Sequence, residues 1–149
     1  MVKDIYFYGR IRGRIDARFR FLSNYYKAKI IVDGKEYATT EHYYQSKKHA
    51  GTDLEEKIRR APTPGKAKSL AWTKNLPIDW EIRKEDVMLV ALRAKFDQNP
   101  DLAEKLLATG DANLHEDSPT DIYWGVKGAD RLGKLLMKVR EEIHKKKSK

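Results

Sequence analysis

Three polar side chains of complementary chemistry recur at helical spacing in the first third of the chain: Glu41, Gln45 and Lys48. On an α-helix, which advances by about 100° per residue, they fall within roughly 60° of one another. A buried carboxylate can act as a general acid or base, and a partly desolvated lysine is a nucleophile that forms Schiff bases with carbonyls. An exposed Glu–Lys helix is the ordinary alternative. The neighbouring Tyr43 and Tyr44 argue against it, because they indicate that this helix packs against other elements.

Aromatic side chains also flank small polar ones, as in the run Phe21–Tyr26, where Ser23 and Asn24 lie between rings. Such a mixture suits a pocket for a sugar or a base, although core aromatics around a turn give the same pattern. Of the three tryptophans, Trp72 is expected in the core and Trp80 at a helix N-terminus, where anions bind. Trp124 precedes a glycine in a predicted loop, as a ring-stacking wall would.

Composition and spacing exclude several other kinds of site. The chain has no cysteine, which rules out disulfides, thiol nucleophiles and Cys-ligated metals. Its four histidines show no metal-site spacing. The run Gly128–Lys134 has the glycine spacing of a phosphate loop, but Leu135 stands where a Ser or Thr would hold magnesium. We therefore expect neither a metal nor a bound cofactor.

The charge is strongly positive. The formal net charge is +9, of which the lysines of residues 144–149 supply four and the rest of the chain five. A second basic cluster of five arginines runs from Arg10 to Arg20. This balance suits a phosphate-bearing ligand or nucleic acid, although a heavily charged, solvated surface explains it equally well.

Length and hydropathy indicate one intracellular domain. A length of 149 residues is typical of a single domain. No apolar run approaches the length of a membrane span. The N-terminal residues lack the charged and then apolar pattern of a signal peptide. We expect a cytoplasmic protein without membrane contact; the oligomeric state is open.

The local patterns predict a mostly α-helical α+β fold, a helical bundle with a small N-terminal β-sheet or hairpin. Asp33-Gly34 between apolar runs is a strong hairpin signal, because both turn positions need positive φ. Residues 4–8 indicate a short strand. Cap residues and apolar spacing predict six helices. The helices cover about 39–50 with Thr39 or Thr40 as the N-cap, 52–60 with a Thr52–Glu55 capping box, 63–72 with Thr63 as the N-cap, a longer stretch capped by Asp79, 100–110, and the apolar stripe 132–143.

The stretch 111–128 is rich in Asp, Gly, Pro and Ser and is predicted to be irregular. Within it we expect one short extended piece at Asp121–Trp124. The resulting organisation is a single domain at residues 1–143 followed by a basic tail at 144–149.

The motifs together, in this order, resemble the NADAR superfamily, also called YbiA-like, over about residues 19–140. The Glu-His-Tyr-Tyr-Gln and Trp-Gly motifs are fairly specific, and finding all the motifs in the same order argues against a chance match. The matching motifs are Phe21-Leu-Ser-Asn-Tyr25, the Asp33-Gly34 hairpin, Thr40-Glu41-His42-Tyr-Tyr-Gln45 with Lys48, Asp79-Trp80-Glu81, Val87-Met88 through Phe96, Asp121-x-x-Trp124-Gly125 and Leu132-Gly133 through Arg140.

The resemblance implies hydrolysis of N-glycosidic bonds in ribose-containing ligands. The two substrate classes are ribosylamino-pyrimidine phosphates, which are early intermediates of riboflavin synthesis, and ADP-ribose on guanine in a nucleotide or nucleic acid. The family's catalytic glutamate, lysine and loop aspartate fall on Glu41, Lys48 and Asp121. Substrate-binding roles are expected for Arg20, Phe21, Ser23, Asn24, Tyr44, Gln45, Trp80, Trp124 and Gly125.

One segment departs from the family pattern. The loop after Trp-Gly is short, Val126–Ala129, and Asp130 stands where Asn is usual. The departure puts substrate choice in question more than the core chemistry. The competing functional class is a basic module that binds ADP-ribose or nucleic acid without cleaving it.

Overall fold

The computed structural model describes residues 2–10 and 13–148, which fall into two units. The central unit is Lys27–Gln98, and the terminal unit joins Met1–Tyr26 to Asn99–Lys149. The mostly helical α+β fold predicted from the sequence is confirmed. The central unit contains β2 (Ile30–Val32), β3 (Lys35–Tyr37), α1 (Thr40–Lys47), α2 (Asp53–Arg59), α3 (Pro64–Ala71) and α4 (Trp80–Gln98). The terminal unit contains β1 (Asp4–Phe7), a 3-10 helix (Ala17–Leu22), α5 (Pro100–Ala108), β4 (Asn113–Glu116) and α6 (Arg131–Lys147).

The predicted hairpin opens the central unit. Strands β2 and β3 pair antiparallel, with Ile30 opposite Tyr37. The turn residues Asp33 and Gly34 have φ of 51° and 77°, the positive values that this two-residue turn requires. Ile30 and Tyr37 are buried in a core that also includes Tyr43 of α1.

Helix α1 lies in the middle of the central unit. It packs against α2, α3, α4 and β3, so the alternative of an exposed Glu–Lys helix is wrong. Of the two predicted caps, Thr39 is the one found, since its hydroxyl oxygen accepts a hydrogen bond from the His42 backbone N–H at 3.1 Å. The helix ends at Lys47, three residues earlier than predicted, because the chain must turn toward α2.

The caps of α2 and α3 differ in their chemistry. Thr63 caps α3 as predicted, accepting from the Lys66 N–H at 3.0 Å. The predicted capping box of α2 is wrong, because the Thr52 hydroxyl donates to the His49 carbonyl instead. Glu55 accepts from the Gly51 N–H at 3.0 Å and from the Lys47 ammonium at 2.7 Å. Glu55 thereby links α2 to α1 rather than closing its own helix end.

Of two predictions for residues near the start of α4, the one for Asp79 is confirmed and the one for Trp72 is wrong. Asp79 precedes the helix, as predicted, and its carbonyl accepts from the Ile82 and Arg83 N–H groups. The expectation that Trp72 lies in the core is wrong. Trp72 directly follows α3 and is 72% exposed. Ala67 and Ala71 fill the buried face of α3, so the next residue points away from it.

The terminal unit contains a strand that the sequence did not predict. β4 pairs in parallel with β1, with Ile5 opposite Leu114. Residues 111–128 were expected to be irregular, and β4 corrects that expectation. Strand β1 itself, at Asp4–Phe7, confirms the prediction for residues 4–8.

Helix α6 packs directly on β4 through a glycine. A Cβ built on Gly133 would lie 1.7 Å from the Leu114 carbonyl oxygen, so only glycine fits there. This packing role explains the glycine spacing that resembles a phosphate loop. Leu132, Leu135, Leu136 and Val139 are buried as predicted. The helix continues through Lys147 and therefore includes the lysines 145–147 of the predicted tail.

Replacing Gly133 by alanine should destabilise the protein by about 1–3 kcal/mol, the usual cost of overpacking. The thermal midpoint should fall by several degrees in a calorimetric or circular-dichroism melt. Gly65→Ala in α3 is the matched control, because the nearest atom to its Cβ is 4.0 Å away. Equal melting temperatures for the two variants would contradict the close approach of α6 to β4.

Helix α5 and the loop before α6 complete the unit. Leu102 and Leu106 are buried, and Gly110 has φ of 65° as expected of a residue that ends a helix. The predicted extended piece at Asp121–Trp124 is wrong, because this segment folds into consecutive turns. Among the described residues, no helix is both long and apolar enough for a membrane span.

Candidate active site

Glu41 and Gln45 form a buried polar pair on α1. Glu41 is 7% exposed and Gln45 is 3% exposed. The Gln45 Nε2 donates to Glu41 Oε2 at 2.7 Å, as the one-turn spacing predicts. Gln45 Oε1 is buried and has no hydrogen-bond partner among the described residues. A buried acceptor without a donor costs about 1–3 kcal/mol, which is the kind of cost that a binding site carries.

Lys48 lies immediately after α1, beside the ring of Tyr44. Its Nζ is 5.5 Å from the centre of the Tyr44 ring. The Tyr44 and Trp80 rings are 5.3 Å apart, and the Arg83 guanidinium is 5.2 Å from the Trp80 ring. The central unit thus brings Glu41, Tyr44, Gln45, Lys48 and Trp80 into one neighbourhood at the junction of α1 and α4. Tyr44 and Trp80 are buried, so their rings serve mainly as packed walls.

His42, inside the same motif, has a structural role. The Ala61 carbonyl can only accept, so the contact at 2.9 Å places a proton on His42 Nε2. Nδ1 of the neutral ring then accepts from the Thr39 hydroxyl at 2.8 Å. Burial lowers the pKa of His42, which keeps the ring neutral. His42 fastens the start of α1 and is not available for proton transfer.

A second lysine with unusual chemistry was not predicted. Lys95 on α4 is completely buried, and burial lowers its pKa to about 7. Its Nζ is 5.5 Å from the Phe96 ring. In the sequence, Lys95 lies within the run Val87–Phe96 that predicts a helix. Nothing in the spacing of that run shows that its side chain is buried, so it could not be told from a surface lysine.

In the terminal unit, the end of the 3-10 helix and the two residues after it hold four of the predicted residues. Phe21, Ser23 and Asn24 are buried, whereas Arg20 is exposed. The Ser23 hydroxyl accepts from the Tyr25 N–H at 3.1 Å. The alternative of core aromatics around a turn therefore describes much of this segment, with Arg20 as its accessible cation.

Asp121 organises the loop that carries Trp124. Its Oδ1 accepts from the backbone N–H groups of Tyr123 at 3.0 Å and Trp124 at 2.9 Å. The Tyr123 and Trp124 rings meet edge to face at 4.8 Å. Asp121 thereby fixes the backbone at Trp124, a positioning role that the sequence did not predict.

The two glycines of this loop permit close backbone packing. A Cβ on Gly125 would lie 2.5 Å from the Asp121 carbonyl oxygen. A Cβ on Gly128 would lie 1.8 Å from the Ile122 carbonyl oxygen. The predicted substrate-binding residue Gly125 is thus required by the turn itself.

The part of the chain that the structure describes holds no cluster of three or more His, Asp or Glu side chains able to bind a metal ion. The chemistry that the described side chains offer is that of a carboxylate, an amide and an amine. This combination can move protons, stabilise positive charge and attack a carbonyl or imine carbon.

Comparison with known proteins shows the family of this chain. The family model described as the NADAR domain matches residues 6–144. A protein of Escherichia coli named N-glycosidase YbiA is 43% identical over 127 residues, which cover 81% of this chain and 79% of that protein. An N-glycosidase of Nostoc punctiforme is 38% identical over 148 residues, covering 93% and 92% of the two chains.

Two further comparisons concern pathway and fold. A riboflavin biosynthesis protein of Vibrio vulnificus is 39% identical over 152 residues, which cover 96% of this chain and 39% of that protein. The solution structure of Escherichia coli YbiA has a TM-score of 0.84 at 38% identity, covering 100% of this chain and 90% of that one. With a family model that matches almost the whole chain and relatives of this identity and coverage, the chain belongs to the NADAR family.

Proposed function

We propose that this protein hydrolyses the N-glycosidic bond between a base and a ribose or phosphoribose, with Glu41 and Lys48 as its catalytic groups. The observation that carries the proposal is the buried Glu41–Gln45 pair, with Lys48 beside Tyr44 on the next turn. The relatives named N-glycosidase support the reaction class, a hydrolase of glycosidic bonds.

Glu41 supplies the charge that this reaction needs. Cleavage of an N-glycosidic bond develops positive charge at C1 of the sugar, as in other glycoside hydrolyses. A carboxylate near C1 stabilises that charge and transfers protons. The hydrogen bond from Gln45 holds one carboxylate oxygen in a fixed direction. We assign the carboxylate positioned in this way to the substrate.

Lys48 acts on the ring-opened sugar. When the ribose ring opens, the base nitrogen and C1 form an imine, and the neutral lysine amine adds to C1. Loss of the base as its free amine leaves a Schiff base between Lys48 and C1. Water then adds to C1, the aldehyde of the sugar is released, and Lys48 returns to its starting form.

The remaining groups bind and position the substrate. Gln45 Oε1, the buried acceptor without a donor, accepts a hydrogen bond from a ribose hydroxyl. Tyr44 forms the wall beside Lys48, and Trp80 supports that wall. For the terminal unit taken by itself, we assign stacking on a base to Trp124 and a phosphate contact to Arg20, because guanidinium matches phosphate geometry. Ribose contacts are assigned there to Ser23 and Asn24.

The substrate class is tested by offering the protein both candidates separately. The first is a ribosylamino-pyrimidine phosphate, and the second is ADP-ribosylated guanosine. Mass spectrometry measures the free base or amine and the sugar product. Release from either one supports the proposal and assigns the class. Recovery of both ligands intact from an excess of folded protein would overturn it.

A specific surface favours binding of nucleic acid as a second candidate function. From Lys57 to Ile78 the chain carries six basic residues and no acidic one. Lys66, Lys68 and Lys74 are exposed, as is Trp72. An exposed indole among lysines suits a single strand, whose bases stack on aromatic rings while lysines contact phosphates.

Substituting Trp72 by alanine tests that second function. Stacking of one base contributes about 1–3 kcal/mol, so Trp72→Ala should weaken binding of a labelled single strand by roughly 5- to 150-fold. Fluorescence anisotropy at two salt concentrations measures the change. Ile122→Ala is the matched control, because Ile122 is 75% exposed in a different unit. Equal affinities of the two variants would show that the surface around Trp72 does not bind nucleic acid.

A further inference from the structure

His115 on β4 is held between two carboxylates. Its Nδ1 is 2.6 Å from Asp130 Oδ2, and its Nε2 is 2.9 Å from Asp4 Oδ1. An ionised carboxylate accepts hydrogen bonds and does not donate them, so both ring nitrogens must donate. Both donate only when the ring is protonated. The geometry therefore fits an imidazolium cation between Asp4 and Asp130.

Asp130 connects this cation to the segment that carries Trp124. Its backbone N–H donates to the Gly125 carbonyl at 3.0 Å. Its φ of 57° lies in the left-handed region, and the residue directly precedes α6. Its Oδ1 is buried without a hydrogen-bond partner among the described residues. A buried carboxylate that lacks one partner depends strongly on the cation that pairs with its other oxygen.

We propose that His115 and Asp130 form an ionic clamp that positions the Trp124 loop, residues 121–130, and that holds this loop only while His115 is protonated. The clamp rests on the proposed function for its effect on catalysis, because the loop carries Asp121 and Trp124. Both partners are positioning residues, since they act through the loop. Asp4 is the outer partner and Asp130 the inner one, with side chains 48% and 15% exposed.

The two carboxylates favour a protonated ring against the opposing effect of burial. Burial lowers the pKa of His115, but the bonds to Asp4 and Asp130 raise it more, so the net shift is upward. Tyr6 on β1 stacks on the ring at 5.1 Å, and Arg14 lies over Tyr6 while it pairs with Asp117. At the start of α6, the Lys134 ammonium donates to the Ala129 carbonyl.

The direction of the pH dependence follows from that upward shift. The charged clamp is fully present below the ordinary histidine pKa of about 6.5 and is lost as the pH rises through the raised value. The loop is therefore anchored below the ordinary histidine pKa and released once the pH exceeds the raised value.

Asp130→Asn tests the clamp with an isosteric change, and Asp97→Asn, at an exposed position of α4, is the matched control. In nuclear magnetic resonance titrations, Asp130→Asn should lower the His115 pKa toward the ordinary value. The decline of kcat/KM for base release with rising pH should shift to lower pH with it, mainly through KM. In His115→Gln this decline should disappear. Identical His115 titrations in wild type and Asp130→Asn would overturn the clamp.

A second readout separates the clamp from the proposed function. In protein labelled with fluorotryptophan, Trp124→Phe identifies the fluorine signal of Trp124. That signal should shift with pH at the His115 pKa in wild type and stay constant in His115→Gln. If no base release is found, the proposed function fails, and this signal still decides the clamp. A signal independent of pH in wild type would refute it.

Discussion

Glu41→Gln is expected to lower the rate of base release by about 10²- to 10⁴-fold, the usual contribution of a general acid or base. The substitution keeps the shape of the side chain and removes its charge. Gln45 can still donate to the new amide oxygen across the 2.7 Å contact, so the local structure of α1 should persist. The rate is measured from the appearance of free base, and the fold is checked by circular dichroism and thermal melting.

The control for this result is Glu36→Gln. Glu36 is exposed on β3 and makes one long ion pair, at 3.6 Å, with Lys29. Its loss should leave both rate and stability almost unchanged, because exposed ion pairs contribute little. A folded Glu41→Gln protein with the wild-type rate would show that the buried carboxylate has no part in the chemistry.

Lys48→Arg is expected to lower base release by at least about 100-fold, because arginine keeps the positive charge but forms no Schiff base. Tyr44, whose ring is 5.5 Å from the lysine Nζ, should retain its cationic neighbour. Borohydride added during turnover should reduce the Schiff base to a stable secondary amine. Peptide mapping of wild-type protein should then find the sugar on Lys48.

The adjacent Lys47 provides the internal control for trapping. It pairs with Glu55 at 2.7 Å; burial lowers its pKa, but this pair and nearby charges raise it more, so its amine stays protonated and unreactive. No adduct is expected on Lys47. A Lys48→Arg protein with full activity, or active wild-type protein that gives no adduct, would reduce Lys48 to a binding residue.

The features predicted well from sequence depend on neighbours along the chain. The Asp33-Gly34 turn and the Thr39 cap are signals within a few residues, and both were found. The Glu41–Gln45 pair followed from helical spacing alone. Its burial followed from the adjacent tyrosines, which α1 places against the other helices.

The features that were missed depend on partners far along the chain. β4 pairs with β1 from Asp4 opposite Asn113, and a short parallel strand carries no local signal of such a partner. The clamp around His115 was missed for the same reason, because its two carboxylates, on Asp4 and Asp130, lie far apart in the sequence. Spacing rules for metal ligands gave His115 no role.

Two further predictions, for Trp72 and for the segment after Asp121, were wrong. Trp72 was expected in the core, but it follows the last buried residue of α3 and turns outward. The segment beginning at Asp121 was expected to be extended. The Asp121 carboxylate instead binds two following N–H groups and folds the chain into a turn.

The most direct test of the central claim is a single-turnover experiment with protein in excess over a ribosylamino-pyrimidine phosphate or ADP-ribosylated guanosine. Wild-type protein should convert at least one of them into free base or amine and a free sugar, and Glu41→Gln should bind it and leave it intact. Intact ligand recovered from wild-type protein that has demonstrably bound it would contradict the account and favour a module that binds without cleaving.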